Sequence, residues 1–170
     1  AVNSLGTTFG SDASFTTLGQ IPSVTTLEAT VITSTSSTLN GTVNANYLSS
    51  IVTFEYGATI SYGSTITATQ SPVTGNTNTN VSASITGLTA ATTYHYRITA
   101  VNSLGTTYGN DLTFTTLGLV PTATTLAATS LTTSSATFNG TVNANYLSTV
   151  VTFEYGTTIS YVATTAIQTM

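Results

Sequence analysis

Two long blocks of this sequence occur twice at one fixed spacing, and that spacing sets the unit in which the chain must fold. The opening AVNSLGTTFGSDASFTTLG returns as AVNSLGTTYGNDLTFTTLG from Ala100, and NGTVNANYLSSIVTFEYG from Asn40 returns as NGTVNANYLSTVVTFEYG from Asn139. Both pairs align without a gap, 99 residues apart, and roughly three-fifths of the overlapping positions are identical. A period of that length is the size of a domain, not the about 20–50 residues of a solenoid repeat. The copies differ conservatively at one alternating set of positions, as in Phe9/Tyr108 and Leu39/Phe138, and more freely elsewhere, as in Glu28/Ala127. A shared interior with drifting surfaces produces that pattern.

Neither end of the sequence falls on a repeat boundary. Residues 1–19 read as the C-terminal strands of one unit, 20–118 as a complete unit, and 119–170 as the N-terminal half of another. The joints are LGQIP (residues 18–22) and LGLVP (residues 117–121), each with a Gly to turn and a Pro to stiffen. Linkers so short and so poor in Gly and Ser predict a semi-rigid string. Joining residues 119–170 to a segment like 1–19 still omits the counterpart of roughly residues 72–99 and leaves Phe138, Val142 and Phe153 uncovered, an aggregation hazard. The expectation is that the 170 residues are a window on a longer polypeptide, with strand exchange between subunits as the alternative.

Within the unit the apolar period is two. Leu39, Gly41 and Val43 alternate with Thr38, Asn40 and Thr42; Val52, Phe54 and Tyr56 alternate with Thr53 and Glu55. Val81, Ala83 and Ile85, then Tyr94, Tyr96, Ile98 and Ala100, then Leu112 and Phe114, continue the rule. Runs rich in Thr, Val, Ile and aromatics, bounded by Asn, Gly and Ser, read as half-buried strands. No stretch carries a capped helical stripe, so no helix is predicted. Seven short strands without intervening helices predict an all-β antiparallel sandwich. At 40% hydrophobic content such a unit can bury a core without disulfides.

GLTAATTYHYRITAVNSLGTTYGNDLTFTT, residues 87–116, resembles the end of a bacterial fibronectin type III domain. In that family a Leu in the E–F turn precedes a Tyr by about six residues, and Leu88 and Tyr94 match those positions. SSTLNGTVNANYLSSIVTFEYG, residues 36–57, resembles strands B and C of the same family. The resemblance implies tandem seven-stranded fibronectin type III-like sandwiches, one complete and two partial, with Tyr94 as the corner tyrosine whose hydroxyl bonds back to the turn. The strand-B Trp of animal members is absent, Leu39 and Val43 standing in that strand, and the Arg-Gly-Asp of integrin binding does not occur.

Composition bears on function by exclusion. The sequence has one Arg, no Lys, one His, no Cys and five carboxylates, for a net charge of −4. One guanidinium cannot neutralise the phosphates of a nucleic acid. Disulfides and thiolate metal sites need Cys, and Schiff-base or isopeptide chemistry needs Lys. No apolar run approaches the about 20 residues of a membrane helix.

His95 and Arg97 fall on the outward phase of their strand, and Glu55 on that of a strand expected to pair with it. They read as a cross-strand Arg97–Glu55 surface pair with an exposed His beside it, rather than as a general base lacking nucleophile and cleft. Asp12, Glu28, Asp111 and Glu154 are scattered; Asp12 and Asp111 read as turn formers, with a weak ion contact as the alternative. TGNTNTN (residues 74–80) and the two NANY motifs, with Tyr47 and Tyr146, read as turns, with sugar binding through amides, Tyr47 and Tyr62 as the alternative. Asn40, Asn80 and Asn139 match the N-x-S/T acceptor pattern by chance in so Thr-rich a sequence, and surface Thr could carry O-glycans. No catalytic, cofactor-binding or metal residue is expected.

Near-neutral, Thr-rich surfaces associate readily. The leading expectation is a non-catalytic structural protein, a repeat segment of an extracellular bacterial filament or surface stalk whose partners are neighbouring copies of the same repeat, with glycans as further partners. The alternatives are passive spacer repeats of a large secreted adhesin or enzyme, or a weak carbohydrate-binding module.

Overall fold

The computed structural model describes residues 1–16, 18–161, 163–165 and 168–169. It is all-β, with no helix among the described residues. In chain order the strands are β1 (Val2–Asn3), β2 (Gly6–Thr7), β3 (Ser23–Thr30), β4 (Ser36–Asn44), β5 (Ile51–Gly57), β6 (Ser64–Thr67), β7 (Thr79–Thr86) and β8 (Thr93–Asn102). They continue with β9 (Gly105–Tyr108), β10 (Leu112–Thr115), β11 (Thr122–Thr129), β12 (Thr137–Asn143), β13 (Val150–Val151), β14 (Glu154–Tyr155), β15 (Ala163–Thr164) and β16 (Gln168–Thr169).

Residues 20–118 form two antiparallel sheets. One runs β3-β4-β7; the other runs β10-β8-β5-β6, with β9 hairpinned onto β8. Each strand buries the alternate residues that its sequence marks. Leu39 and Val43 of β4, Val81, Ala83 and Ile85 of β7, Val52 and Phe54 of β5, Tyr96, Ile98 and Ala100 of β8 and Phe114 of β10 meet in one core. The registers bring Leu39 opposite Ala83 and Phe54 opposite Ile98, so each sheet presents a continuous apolar inner face. Each of the larger side chains contributes about 1.5–3 kcal/mol by leaving water.

Tyr96 is the one large polar side chain at the centre. It is fully buried, and its hydroxyl donates to the Leu27 carbonyl 2.7 Å away in the opposite sheet. Burial pushes its pKa from 10.0 up to about 12. The neutral phenol is the form the folded state keeps, so the unfolded chain gives up this proton first. Tyr96 therefore contributes stability that is whole below about pH 10 and lost between pH 10 and 12, about 3 kcal/mol in all. An alkaline unfolding titration followed by tyrosinate absorbance is expected to show that loss, and Tyr96→Phe to flatten it.

Polar details finish the fold. Between Leu27 and Thr30 the β3–β4 register slips, and Asn40 closes the gap. Its amide donates to the carbonyl of Glu28 at 2.8 Å, to the Thr30 hydroxyl at 3.0 Å and to the carbonyl of Thr38 at 3.4 Å. The Tyr94 hydroxyl accepts from the backbone N–H of Thr89 at 3.0 Å, five residues back at the turn before β8.

The flanking segments repeat this geometry locally. β11 and β12 pair with the same slip, between Leu126 and Thr129, and Asn139 makes the matching bonds to Ala127, Thr129 and Thr137. The hairpin of β1 and β2 turns on Asn3 as that of β8 and β9 turns on Asn102, each side-chain oxygen accepting a backbone N–H two residues on. Phe138, Phe153 and Tyr155 cluster but remain only partly covered, while Phe9 and Phe15 are exposed.

Candidate functional site

Most of the chain's ionic chemistry gathers on the outer face of the β10-β8-β5-β6 sheet. Alternation along β8 turns His95 and Arg97 outward, opposite in phase to Tyr96 and Ile98. The β5–β8 register sets Glu55 directly across from Arg97, and the β10–β8 register sets Thr113 across from His95, with Asp111 two residues before it on the same face. Tyr62 comes from the β5–β6 connection, where its φ of 57° folds the chain back over Gly57.

Arg97 Nε donates to Glu55 Oε2 at 2.6 Å. The guanidinium carbon lies 4.9 Å from the Tyr62 ring centroid and 4.2 Å from that of Tyr108, so the cation stacks on two aromatic faces. Asp111 joins the rest: His95 Nδ1 is 2.8 Å from its Oδ2, and the Tyr62 hydroxyl donates to its Oδ1 at 3.0 Å. Burial followed by the Asp111 hydrogen bond raises the Tyr62 pKa. Burial works against the Arg97 charge, but the Glu55 hydrogen bond and charge outweigh it and raise its pKa. The group is closed on itself, each charged member matched to a partner within the cluster. Among the described residues no three His, Cys, Asp or Glu side chains gather as a metal site.

The expected Arg97–Glu55 pair is present, but His95 and Asp111 differ from the sequence reading. His95 is half-buried against Asp111, and Asp111 is a hydrogen-bond hub rather than a bare turn former. That pairing follows from the β8–β10 register, which is not written in either strand alone. The only sequence hint is that Asp12 and Asp111 hold equivalent places before the last strand of their units. Glu55 and Tyr62 likewise have counterparts in Glu154 and Tyr161. The ion pair is about 30% exposed on each side, so it contributes at most about 1 kcal/mol, with about 0.5–1 more from each ring. Arg97→Gln is expected to lower unfolding stability in urea by about 1–2 kcal/mol, with only part of the loss reproduced by high salt.

The NANY motif forms a turn in both copies. Asn46 N–H donates to Asn44 Oδ1 at 3.0 Å, and Asn145 N–H to Asn143 Oδ1 at 3.0 Å. Tyr47 lies on the surface, while Tyr62 is committed to Arg97 and Asp111. Of the N-x-S/T asparagines, Asn40 and Asn139 spend their amides on the β-bulges, and Asn80 is exposed on β7.

No known family model matches the chain, and no curated protein matches it. Among solved structures it is similar to the sensor domain of the anti-sigma factor RsgI4 of Pseudobacteroides cellulosolvens, in a short and a long version. The short version matches at a TM-score of 0.41 with 25% identity, covering 59% of this chain and 98% of that one. The long version matches at a TM-score of 0.41 with 24% identity, covering 58% and 91%. No helix among the described residues is long and apolar enough to cross a membrane.

Proposed function

We propose that the chain is a non-catalytic structural protein, a run of tandem fibronectin type III-like sandwiches that stack end to end in an extracellular bacterial filament or surface stalk. The strand orders β3-β4-β7 and β10-β8-β5-β6, together with the Tyr94 hydroxyl bonded back to Thr89, favour that family.

The observation that carries the reading is how the joints are held. β3 runs from Ser23, opposite Asn44, to Thr30, opposite Thr38, and so spans the unit from pole to pole. At the first pole Asn46 Nδ2 donates to the Ile21 carbonyl at 2.8 Å, and Asn102 Nδ2 to the Gln20 carbonyl at 2.8 Å. At the other pole Leu117 N–H donates to the Thr33 carbonyl at 3.0 Å. The chain thus arrives at one end and leaves at the other. At the second joint Asn145 Nδ2 donates in turn to the Val120 carbonyl, and Leu147 packs where a side chain at Gly118 would sit. Only Gly118 and Leu119 lie between the two anchors, a span of at most about 10 Å, so successive units cannot swing far apart.

Electron microscopy of the native material tests the proposal. Filaments of regular width, with an axial repeat fitting stacked units, are the expected result. Flexible strings ending in a larger globule would make the units spacers for something else. In small-angle scattering, Gly118→Val is expected to broaden the distribution of end-to-end lengths while unit stability holds.

A further inference from the structure

Tyr47 is placed as no structural role requires. Asn46 and Tyr47 both adopt left-handed backbone, with φ of 48° and 71°, a region that disfavours a bulky side chain. The second copy repeats the arrangement at Asn145 and Tyr146, with φ of 51° and 71°. Tyr47 is 70% exposed and Tyr146 is 72% exposed. A preceding unit is not what covers this ring, because residues 20–118 precede Tyr146 and leave it as open as Tyr47.

The ring is nevertheless fixed. Tyr47 N–H donates to the Gly75 carbonyl at 2.8 Å, and Asn76 Nδ2 donates to the Tyr47 hydroxyl. Asn44 Nδ2 holds the same loop through the Asn76 carbonyl at 2.9 Å. Backbone and hydroxyl are thus pinned at opposite ends of a side chain whose surface lies mostly in water. An aromatic anchor for a protein partner normally sits in an apolar patch that excludes water. Here the groups tied to the ring are amides: Asn76 on its hydroxyl and Asn44 on the same loop, in which Asn76, Thr77 and Asn78 are exposed.

We propose that Tyr47 with Asn76, and Tyr146 in the next unit, bind the pyranose rings of a neutral polysaccharide. A pyranose offers an apolar C–H face for the exposed ring and, at its rim, hydroxyls that an amide can both donate to and accept from. The pinned ring loses little freedom on binding, which is the gain that offsets its disfavoured backbone. Charge selects a neutral glycan: the sole Arg is engaged by Glu55 in the other cluster, there is no Lys, and the chain is net −4. One site per unit makes each contact weak and the array strong, because the second contact along one polymer is intramolecular. This reading stands apart from the structural role above and survives its failure.

The test uses the whole chain on immobilised glucan, mannan, galactan and, as the anionic control, polyuronate. The variants are Tyr47→Gly with Tyr146→Gly, which relieve the backbone while removing the rings, and Tyr47→Phe with Tyr146→Phe, which keep the rings. Expected are retention on at least one neutral polysaccharide that is insensitive to salt, and retention at reduced strength in the Phe pair. The Gly pair, which removes both rings, is expected to lose more than about tenfold, with an undiminished unfolding midpoint. Absence of retention on all three neutral polymers overturns the proposal, as does equal retention by the Gly pair. Retention on polyuronate alone, or chain self-association abolished by the Gly pair in sedimentation, overturns it as well, the last assigning the rings to a protein partner.

Discussion

Gly57→Ala is expected to destabilise the complete unit by more than about 4 kcal/mol, most of the stability of a domain at the lower end of the ordinary range. A methyl group on Gly57 would coincide with the carbonyl of Tyr62, because the β5–β6 connection folds directly over the end of β5. Backbone cannot rotate out of the way as a side-chain tip can. The connection must open, and Tyr62 then leaves Arg97 and Asp111 together. Urea unfolding with near-ultraviolet circular dichroism reads both losses. Ala at Gly10, where an added methyl meets nothing, is the control expected to be silent. An unchanged midpoint for Gly57→Ala would mean that residues 58–63 have room to step aside at little cost.

Phe54→Ala is the second large effect, and the repeat supplies its own control. Phe54 is fully buried between the two sheets, so truncation removes its transfer energy and leaves a cavity, about 3–5 kcal/mol. Phe153 holds the equivalent place in the third segment, within an identical VTFEYG, but it is only partly covered beside Phe138. Phe153→Ala is expected to cost well under half as much in the 170-residue chain. The two substitutions are the same in chemistry and nearly the same in local sequence. Thermal unfolding of both therefore measures the tertiary surroundings alone, and equal costs would show that residues 119–170 are packed as tightly as the complete unit.

Much of the inner face was legible because a strand's side chains alternate strictly. Leu39, Val43, Val81, Ala83, Ile85, Tyr96, Ile98 and Phe114 could be assigned to the core from spacing alone, and all are buried. The repeat was legible too, down to the shared turns at Asn3 and Asn102. The outer face was less so. Which outward residue meets which depends on inter-strand register and on loops, and neither leaves a period in the sequence. Arg97 and Glu55 were within reach because both lie on the outward phase of strands that the family resemblance pairs. His95 and Asp111 were not, since Asp111 lies just before its strand, outside the paired register. Nor could propensity have put Tyr47, Tyr62 or Val31 in left-handed backbone, where Gly or Asn is the usual occupant. Tyr62 is held there by its approach to Gly57 and its bond to Asp111.

The stapled bulges at Asn40 and Asn139 bear on how this material ages. Each of these asparagines is followed by glycine, the pairing in which the next backbone nitrogen most readily attacks the side-chain carbonyl, expelling ammonia to give a succinimide that water opens to isoaspartate and aspartate. That attack needs a free amide and a mobile backbone. Here the amide nitrogen donates to three oxygens and the backbone lies in a paired strand, so neither is on offer while the bulge is intact. Once a unit opens, both become available, and the change is irreversible. Isoaspartate and aspartate at these two positions would then accumulate as a chemical record of which units have been unfolded over the lifetime of the protein.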